Sequence, residues 1–332
     1  MKPILRRSGE LLATASILLA TLWCTLPQEG IFFKWWEDHT FVLMLGLLGA
    51  GLLFFCCNVH RLMMVSWGAC ALLCLVLKER SQMPLQHSEK TNDALITVAH
   101  FKLPGGMSHH DENLKTILET QADLISLQEI NVPLLDSLHA FFTCCGYPYF
   151  ECVQDDRRQT AMVVYSRYPF HFLQAVHDPN APGMLGKVQL SLGNTVEHFF
   201  FFSTFLNPAQ DEVTYTQLRQ RLRYYAHHLN EIDQPLLACG DYHLVPWSRD
   251  LQSFRTVSRL NESRRGVLPT SPHGHFSLFN HPFDHIFYSN HFKCVNFKTI
   301  SSATTDYLGI VGTYQFENQD SVVHVQTKTN EL

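Results

Sequence analysis

Three uninterrupted apolar runs within the first eighty residues constrain this chain more than any other feature. They are Leu11 to Leu26 (LLATASILLATLWCTL), Phe41 to Cys57 (FVLMLGLLGAGLLFFCC) and Leu62 to Leu77 (LMMVSWGACALLCLVL). None carries a charge, and each is close to the lower length limit for a membrane-spanning helix. The Gly and Ala residues of the second and third suit close helix packing in lipid. Lys2, Arg6 and Arg7 ahead of the first run also match the basic head of a signal peptide. Two more apolar runs follow, however, and no clear small-x-small cleavage site separates them. Three membrane helices are therefore expected over residues 1–80, in preference to a cleaved leader or to three successive core helices of a soluble protein.

Orientation rests on a small charge bias. An inside N-terminus places Lys2, Arg6, Arg7 and Arg61 in the cytoplasm, and Lys34, Lys78 and Arg80 on the other side. The positive-inside rule favours this arrangement. Three crossings then carry the rest of the chain across the membrane. Residues 78 to 92, KERSQMPLQHSEKTN, are polar and aperiodic, and a linker is expected over 81–93. Residues 94–332, about 240 in number, suffice for one sizeable core.

Five of the ten cysteines fall in the apolar runs, leaving Cys144, Cys145, Cys152, Cys239 and Cys294. This odd set, without CxxC spacing, argues against a disulfide framework, a thioredoxin-like motif or a zinc ribbon. A net charge of -5 gives no overall nucleic-acid footprint. The RQRLR patch with Arg219, Arg221 and Arg223 is the single basic cluster that supports a nucleic-acid partner, and three arginines more often make a solvated helix face.

Beyond Ala94 strands alternate with helices. ALITVAHF, the end of NLKTILETQADLISLQEI, TAMVVYS, PLLACGD and DHIFYS have strand character, and KVQLSLG with VEHFFFFSTFL has the pattern of a hairpin. Tyr215 to Leu229 is expected to be a long helix, with a shorter one near Ser248 to Phe254. Many strands in mixed order with intervening helices suggest two stacked sheets with helices outside, the alternative being a doubly wound sheet. Carboxylates recur where the apolar runs end: Glu129 in LQE, Asp241 in ACGD, Asp284 in PFDH and Asp306 in TTDY. Singly, each is as well explained as a cap or a solvated edge. Together they suit a hard divalent cation, which would neutralise phosphate charge and activate a water.

The ordered set VAHFKLPGG, ADLISLQEI, YPYF, TAMVVYSRYPF, FSTFLNP, LLACGDYHLVPWS, FDHIFYS and TTDYLG resembles the endonuclease/exonuclease/phosphatase superfamily of DNase I-like proteins. More narrowly, it resembles the bacterial branch with membrane helices ahead of the domain. The resemblance spans roughly residues 94 to 318. It implies an α/β fold, a four-layer α/β/β/α sandwich, and a multi-pass inner-membrane protein with a periplasmic C-terminal domain. It also implies magnesium or manganese if the site is active, and no ion if it is not.

Residue by residue, the resemblance makes Glu129 a metal ligand and Asp241 a contact to the attacking water or the ion. Asp284 becomes the carboxylate that orients a catalytic histidine, and Asp306 the aspartate of the terminal motif and a metal ligand. Four positions depart from the pattern. His100 stands at an asparagine that positions the metal, and Phe205 at a donor to the phosphate. His243 stands at the asparagine of the GDFN-type motif, and Tyr307 at the catalytic histidine itself. Phenylalanine has no hydrogen-bond donor. A phenol with pKa about 10 is a poor general base near neutral pH. His285 should face away from Asp284 on its strand. His273, His275 and His281 share a loop that could hold zinc or copper, although loop histidines without cysteines are usually only polar.

Two functions follow. One is a membrane-anchored degenerate domain acting as a binding or regulatory module, with a phosphate-containing lipid or another periplasmic ligand as partner. The other is a metal-dependent phosphodiesterase or phosphatase with a rebuilt site. The chemistry favours the first, because nothing in the sequence replaces the groups lost at Phe205 and Tyr307.

Overall fold

In a computed structural model of the chain, residues 2–26, 29–81, 95–103, 110–155, 160–176, 182–192, 195–264, 281–302 and 305–316 are described. Ser81 is described, while the rest of the expected linker, the Gly105-Gly106 pair, His273 and His275 lie outside these residues.

The N-terminal region forms four helices: α1 (Lys2–Thr25), α2 (Ile31–Asp38), α3 (Thr40–Cys56) and α4 (His60–Ser81). Two helical segments, Arg7–Thr25 of α1 and α4, are long and apolar enough to cross a membrane. A third results if α2 and α3, bent by 56° at their junction, count as one. The short α2 is an addition to the sequence reading, which placed no helix at IFFKWWED. Cys24, Leu47, Ala69 and Leu73 pack α1, α3 and α4 together. A Cβ at Gly51 would run into the Trp67 indole, so glycine sets how closely α3 meets α4. Around this bundle Leu11, Leu53, Met64 and Leu75 are exposed, a perimeter suited to hydrocarbon rather than water. Arg80 Nη2 donates to the Thr25 carbonyl at 3.3 Å, which sets the C-terminal ends of α1 and α4 side by side.

The rest is a mixed α/β domain. Its elements are β1 (Leu95–Lys102), α5 (His110–Glu119), β2 (Leu124–Asn131), α6 (Leu135–Cys144), β3 (Tyr149–Asp155), β4 (Thr160–Ser166), β5 (Phe170–Val176), β6 (Gly183–Leu192) and β7 (Thr195–Phe205). They continue with α7 (Glu212–Asn230), β8 (Leu236–Asp241), α8 (Arg249–Ser258), β9 (Asn261–Glu262), β10 (Asp284–Tyr288), β11 (Phe292–Ser302) and β12 (Thr305–Phe316). One six-stranded sheet has the order β11-β12-β1-β2-β4-β3, the other β5-β6-β7-β8-β10-β9. Each contains one parallel pair, β1 with β2 and β7 with β8, and each pair is joined through a helix, α5 or α7. The hairpin expected from KVQLSLG and VEHFFFFSTFL is β6–β7.

Strand alternation sorts the side chains. In the run Phe199 to Phe202, Phe199 and Phe201 enter the core between the sheets, while Phe202 faces the α7–α8 side. A separate core with Phe101, Ile125, Leu138 and Phe142 lies between the first sheet and α5–α6. Helix α7 begins at a capping box, where the Asp211 carboxylate accepts from the Thr214 N–H at 2.8 Å. Its buried side carries Tyr215, Leu218, Leu222, Tyr225 and Leu229, the spacing of an amphipathic helix.

Candidate active-site cleft

The carboxyl ends of both parallel pairs point to one rim of the domain, the usual position for a site in such units. Even-numbered β1 residues face the second sheet: Ile96 and Val98 lie in the shared core, followed by His100 and Lys102 toward the rim. On β8, Leu237 and Cys239 lead to Asp241, and on β10, Ile286 precedes no further core residue toward the strand start at Asp284. Pairing sets Phe205, Asp241 and Asp284 in one row across three neighbouring strands. Below this row a polar layer separates core from cleft. Ser126 Oγ meets Ser203 Oγ at 2.8 Å, and Gln128 Nε2 donates to the Thr204 carbonyl at 2.8 Å.

The centre of the cleft is a charged cluster that bridges the two sheets. Lys102 Nζ lies 2.5 Å from Asp241 Oδ2 and 3.0 Å from Asp284 Oδ1. His100 Nε2, fully buried, lies 3.2 Å from the same Asp284 oxygen. Asp241 Oδ1 accepts from the His243 backbone N–H at 2.9 Å, and His243 Nε2 is 3.1 Å from Oδ2. This bond closes the tight turn in which His243 takes a positive φ of 48°. Gly240 is required just before it: its φ is 152°, and a Cβ there would collide with the Thr204 carbonyl of β7. The Phe205 ring meets the His243 ring edge to face at 5.8 Å.

Burial raises the Asp241 carboxyl to about 6; the Lys102 ammonium opposes this shift and the Asp284 charge adds to it. Burial alone would lower the lysine, but Asp284 and Asp241 together outweigh it and hold the ammonium charged above its ordinary range. Lys102 is the residue that the sequence reading missed. The signal was present: in HFK, His100 and Lys102 are two apart on a strand and share a face.

The remaining expected residues fall as follows. Glu129 lies two residues before the end of β2, beside a register break between Leu127 and Ile130, and takes φ 60°. Such a bulge interrupts the alternation that would otherwise turn Glu129 to the outer side. Asp306 and Tyr307 lie near the start of β12, antiparallel to β1 and hence at the same rim; their side chains lie outside the described residues. His285 faces away from Asp284, with Nδ1 3.1 Å from Glu262 Oε2 and Nε2 2.8 Å from the Leu244 carbonyl. It is a structural histidine. His281 packs against His39 and Phe283.

The segment after Asp241 is also the contact with the N-terminal helices. Val245 and Trp247 form a buried cluster with Phe41 and Leu77. Trp247 Nε1 donates to the Glu37 carbonyl at 2.8 Å, and Arg249 Nη2 to the Thr25 carbonyl at 2.6 Å. On the other flank, Lys34 of the Lys34–Asp38 ion pair sits 5.6 Å from the centre of the Phe283 ring, which in turn touches His243. The cleft wall and the helix bundle are thus one packed structure.

The Endonuclease/Exonuclease/phosphatase family model matches residues 101–306, most of the domain that builds this cleft. The chain belongs to that family. Among solved structures it is similar to a family protein from Bacteroides thetaiotaomicron at 12% identity, covering 69% of this chain and 100% of that one, with TM-score 0.50. A family protein from Beutenbergia cavernae gives 18% identity, 68% and 72% coverage and TM-score 0.51. A humanized D. rerio TDP2 gives 13%, 67% and 99%, with TM-score 0.51. At these identities the likeness is one of fold. No curated protein matches.

Of the carboxylates expected to meet a divalent ion, Asp306 has its side chain outside the described residues. Lys102 already bridges Asp241 and Asp284, and among the described residues no three His, Cys, Asp or Glu side chains are arranged to hold a metal.

Proposed function

We propose that this protein is a membrane-anchored binding module built on a hydrolase frame. Three spans precede a four-layer α/β/β/α domain, and the cleft holds a ligand rather than turning over phosphodiesters at the rate of an intact site. The observation that carries this reading is the Lys102 bridge, an ammonium held between Asp241 and Asp284 where the family pattern implies ion chemistry. Phe205 adds to it, since an aromatic ring facing His243 offers no donor to a phosphate oxygen. The ligand class that suits the setting is a phosphate-containing lipid or another periplasmic molecule. The test is turnover: the purified full chain, assayed on a generic phosphodiester with magnesium, manganese or zinc, should show no metal-dependent cleavage above a Glu129→Gln, Asp306→Asn control. Brisk cleavage with any of these ions overturns the reading.

One observation favours a second reading, a rebuilt hydrolase. His100 reaches Asp284 from the opposite sheet and forms a carboxylate–imidazole pair of the kind lost at Tyr307. In that case activity exists and His100→Asn abolishes it.

The three-span topology is supported by geometry. The C-terminal ends of α1 and α4 lie together, so if both cross the membrane the chain returns between them, and α3 is the connecting helix that packs against α4. The domain then lies on the side opposite the N-terminus, outside the cytoplasm. A fusion at Gln86 should give active alkaline phosphatase; fluorescence from a cytoplasm-only reporter at the same site would reverse the orientation.

A further inference from the structure

A cavity of about 240 Å³ opens at the seam between the N-terminal helices and the domain, on the α7–α8 side and separate from the Asp241 cleft. Arg219, Arg223 and His227 line it from α7. Spaced four apart, they form one stripe along that helix. Arg249 at the start of α8 also lines it but is held by Glu37 at 3.7 Å and the Thr25 carbonyl, and Glu29, Glu37 and Asp250 are the carboxylates of the lining. Leu222 contributes to an apolar floor.

The charges are unequally committed. Asp250 accepts from the Tyr215 hydroxyl at 2.6 Å and from Arg219 Nε at 3.0 Å, which fixes the inner end of the stripe. Arg219 Nη2 also holds Glu29 at 2.9 Å, but the Glu29 side chain is 77% exposed. Such a pair is weak and readily exchanged for another anion. Arg223 and His227 are exposed and make no hydrogen bond or ion pair among the described residues. The cavity therefore offers two uncommitted donors beside an arginine whose partner can be displaced.

Its depth relative to a bilayer is set by the aromatic residues around it. Trp23 packs with Phe32 at 5.2 Å and Trp36 at 5.1 Å, where α1 ends and α2 begins, and Trp35 remains 53% exposed. Tryptophans and their aromatic neighbours concentrate at the membrane–water boundary. Glu29 lies between these two helices. The cavity mouth is then at headgroup level, with Arg223 and His227 at its outer edge and Leu222, Ala226 and Val257 as apolar lining, a combination that matches an amphiphile.

We propose that this cavity binds the phosphate of a membrane lipid headgroup, with Arg223 and His227 as outer donors and Arg219 released to the phosphate when Glu29 swings away. The proposal rests on the membrane reading above. Inorganic phosphate shares the recognised group, and the test separates the two sources.

Full-length protein in detergent is mixed with vesicle lipid, either phosphatidylglycerol or phosphatidylcholine, and retained lipid is counted by native mass spectrometry. Phosphatidylglycerol should be retained at least fivefold over phosphatidylcholine. Arg223→Gln with His227→Gln should lower that retention roughly fivefold or more, the size expected when a basic residue is removed from an anionic lipid surface. Both side chains are exposed, so the variant should melt like the parent in lipid-free detergent. Lys293→Gln, on the far sheet edge, should leave retention unchanged. Equal retention of the two lipids, an unaffected double variant, or an equal loss in Lys293→Gln each overturns the proposal. So does inorganic phosphate raising Tm in lipid-free detergent as much as phosphatidylglycerol does. Release of the wild-type chain from membranes by alkaline carbonate would instead refute the membrane reading, so the two failures are distinguishable.

Discussion

Replacing Lys102 by methionine should cost the fold roughly 3 kcal/mol at neutral pH, because it leaves Asp241 and Asp284 as buried like charges with no ammonium between them. For a domain of this size that corresponds to a fall of about 6–12 °C in the Tm of the full chain in detergent. The pH dependence has a definite sign. Burial already raises Asp241 to about 6 in the folded state, so its ionisation weighs against folding as pH rises from the unfolded value near 4 toward 6. Below that window the carboxylate is protonated in both states. The Asp241 part of the Lys102→Met penalty should therefore shrink as pH falls through 6. The same variant opens the carboxylate pair to a cation. Millimolar magnesium or manganese should raise the Tm of Lys102→Met and leave that of the parent unchanged. A parent stabilised as strongly as the variant would show that Lys102 does not occupy the place of the ion.

The second large effect concerns catalysis. Restoring the family pattern at four positions, with His100→Asn, Phe205→His, His243→Asn and Tyr307→His, should not by itself yield a competent phosphodiesterase, because Lys102 still bridges Asp241 and Asp284. Adding Lys102→Ser to the four should raise metal-dependent cleavage by roughly 10²–10⁴-fold over the four-substitution protein, the scale of a general base or an oxyanion donor brought into use. The effects will not add site by site, since residues of one catalytic unit act together. Initial rates on a generic phosphodiester with magnesium or manganese provide the measurement. High activity in the four-substitution protein with Lys102 intact would show that the lysine yields to the ion when substrate binds.

Much of the framework was legible in the chain. Alternation marked β7, β8 and β10. It also turned His285 to the outer face and Asp284 to the cleft, because a strand's period of two leaves no other choice. Asp241 at the end of β8 and Asp284 at the start of the antiparallel β10 fall in one row, because antiparallel neighbours bring the end of one strand beside the start of the next. The Lys102 bridge was not read, although HFK carried its pattern. A lysine at a strand end is normally solvated, and only the approach of β8 and β10 from the other sheet turns it into an internal counter-ion.

The contact between the N-terminal helices and the cleft wall was hidden for a different reason. Trp247 donates to Glu37 across 210 positions of sequence, and Arg249 to Thr25 across 224. Such a distance leaves no local pattern to read. Local hydropathy and periodicity by themselves determined the apolar helices and most strands, and the ordered motifs carried the resemblance to the family. The tertiary structure alone decided which of these side chains meet. Phe205, His243, His100 and Lys102 come from two strands and a turn, and the contacts of His100 and Lys102 with Asp284 and Asp241, at about 3 Å, exist only because the two sheets pack together.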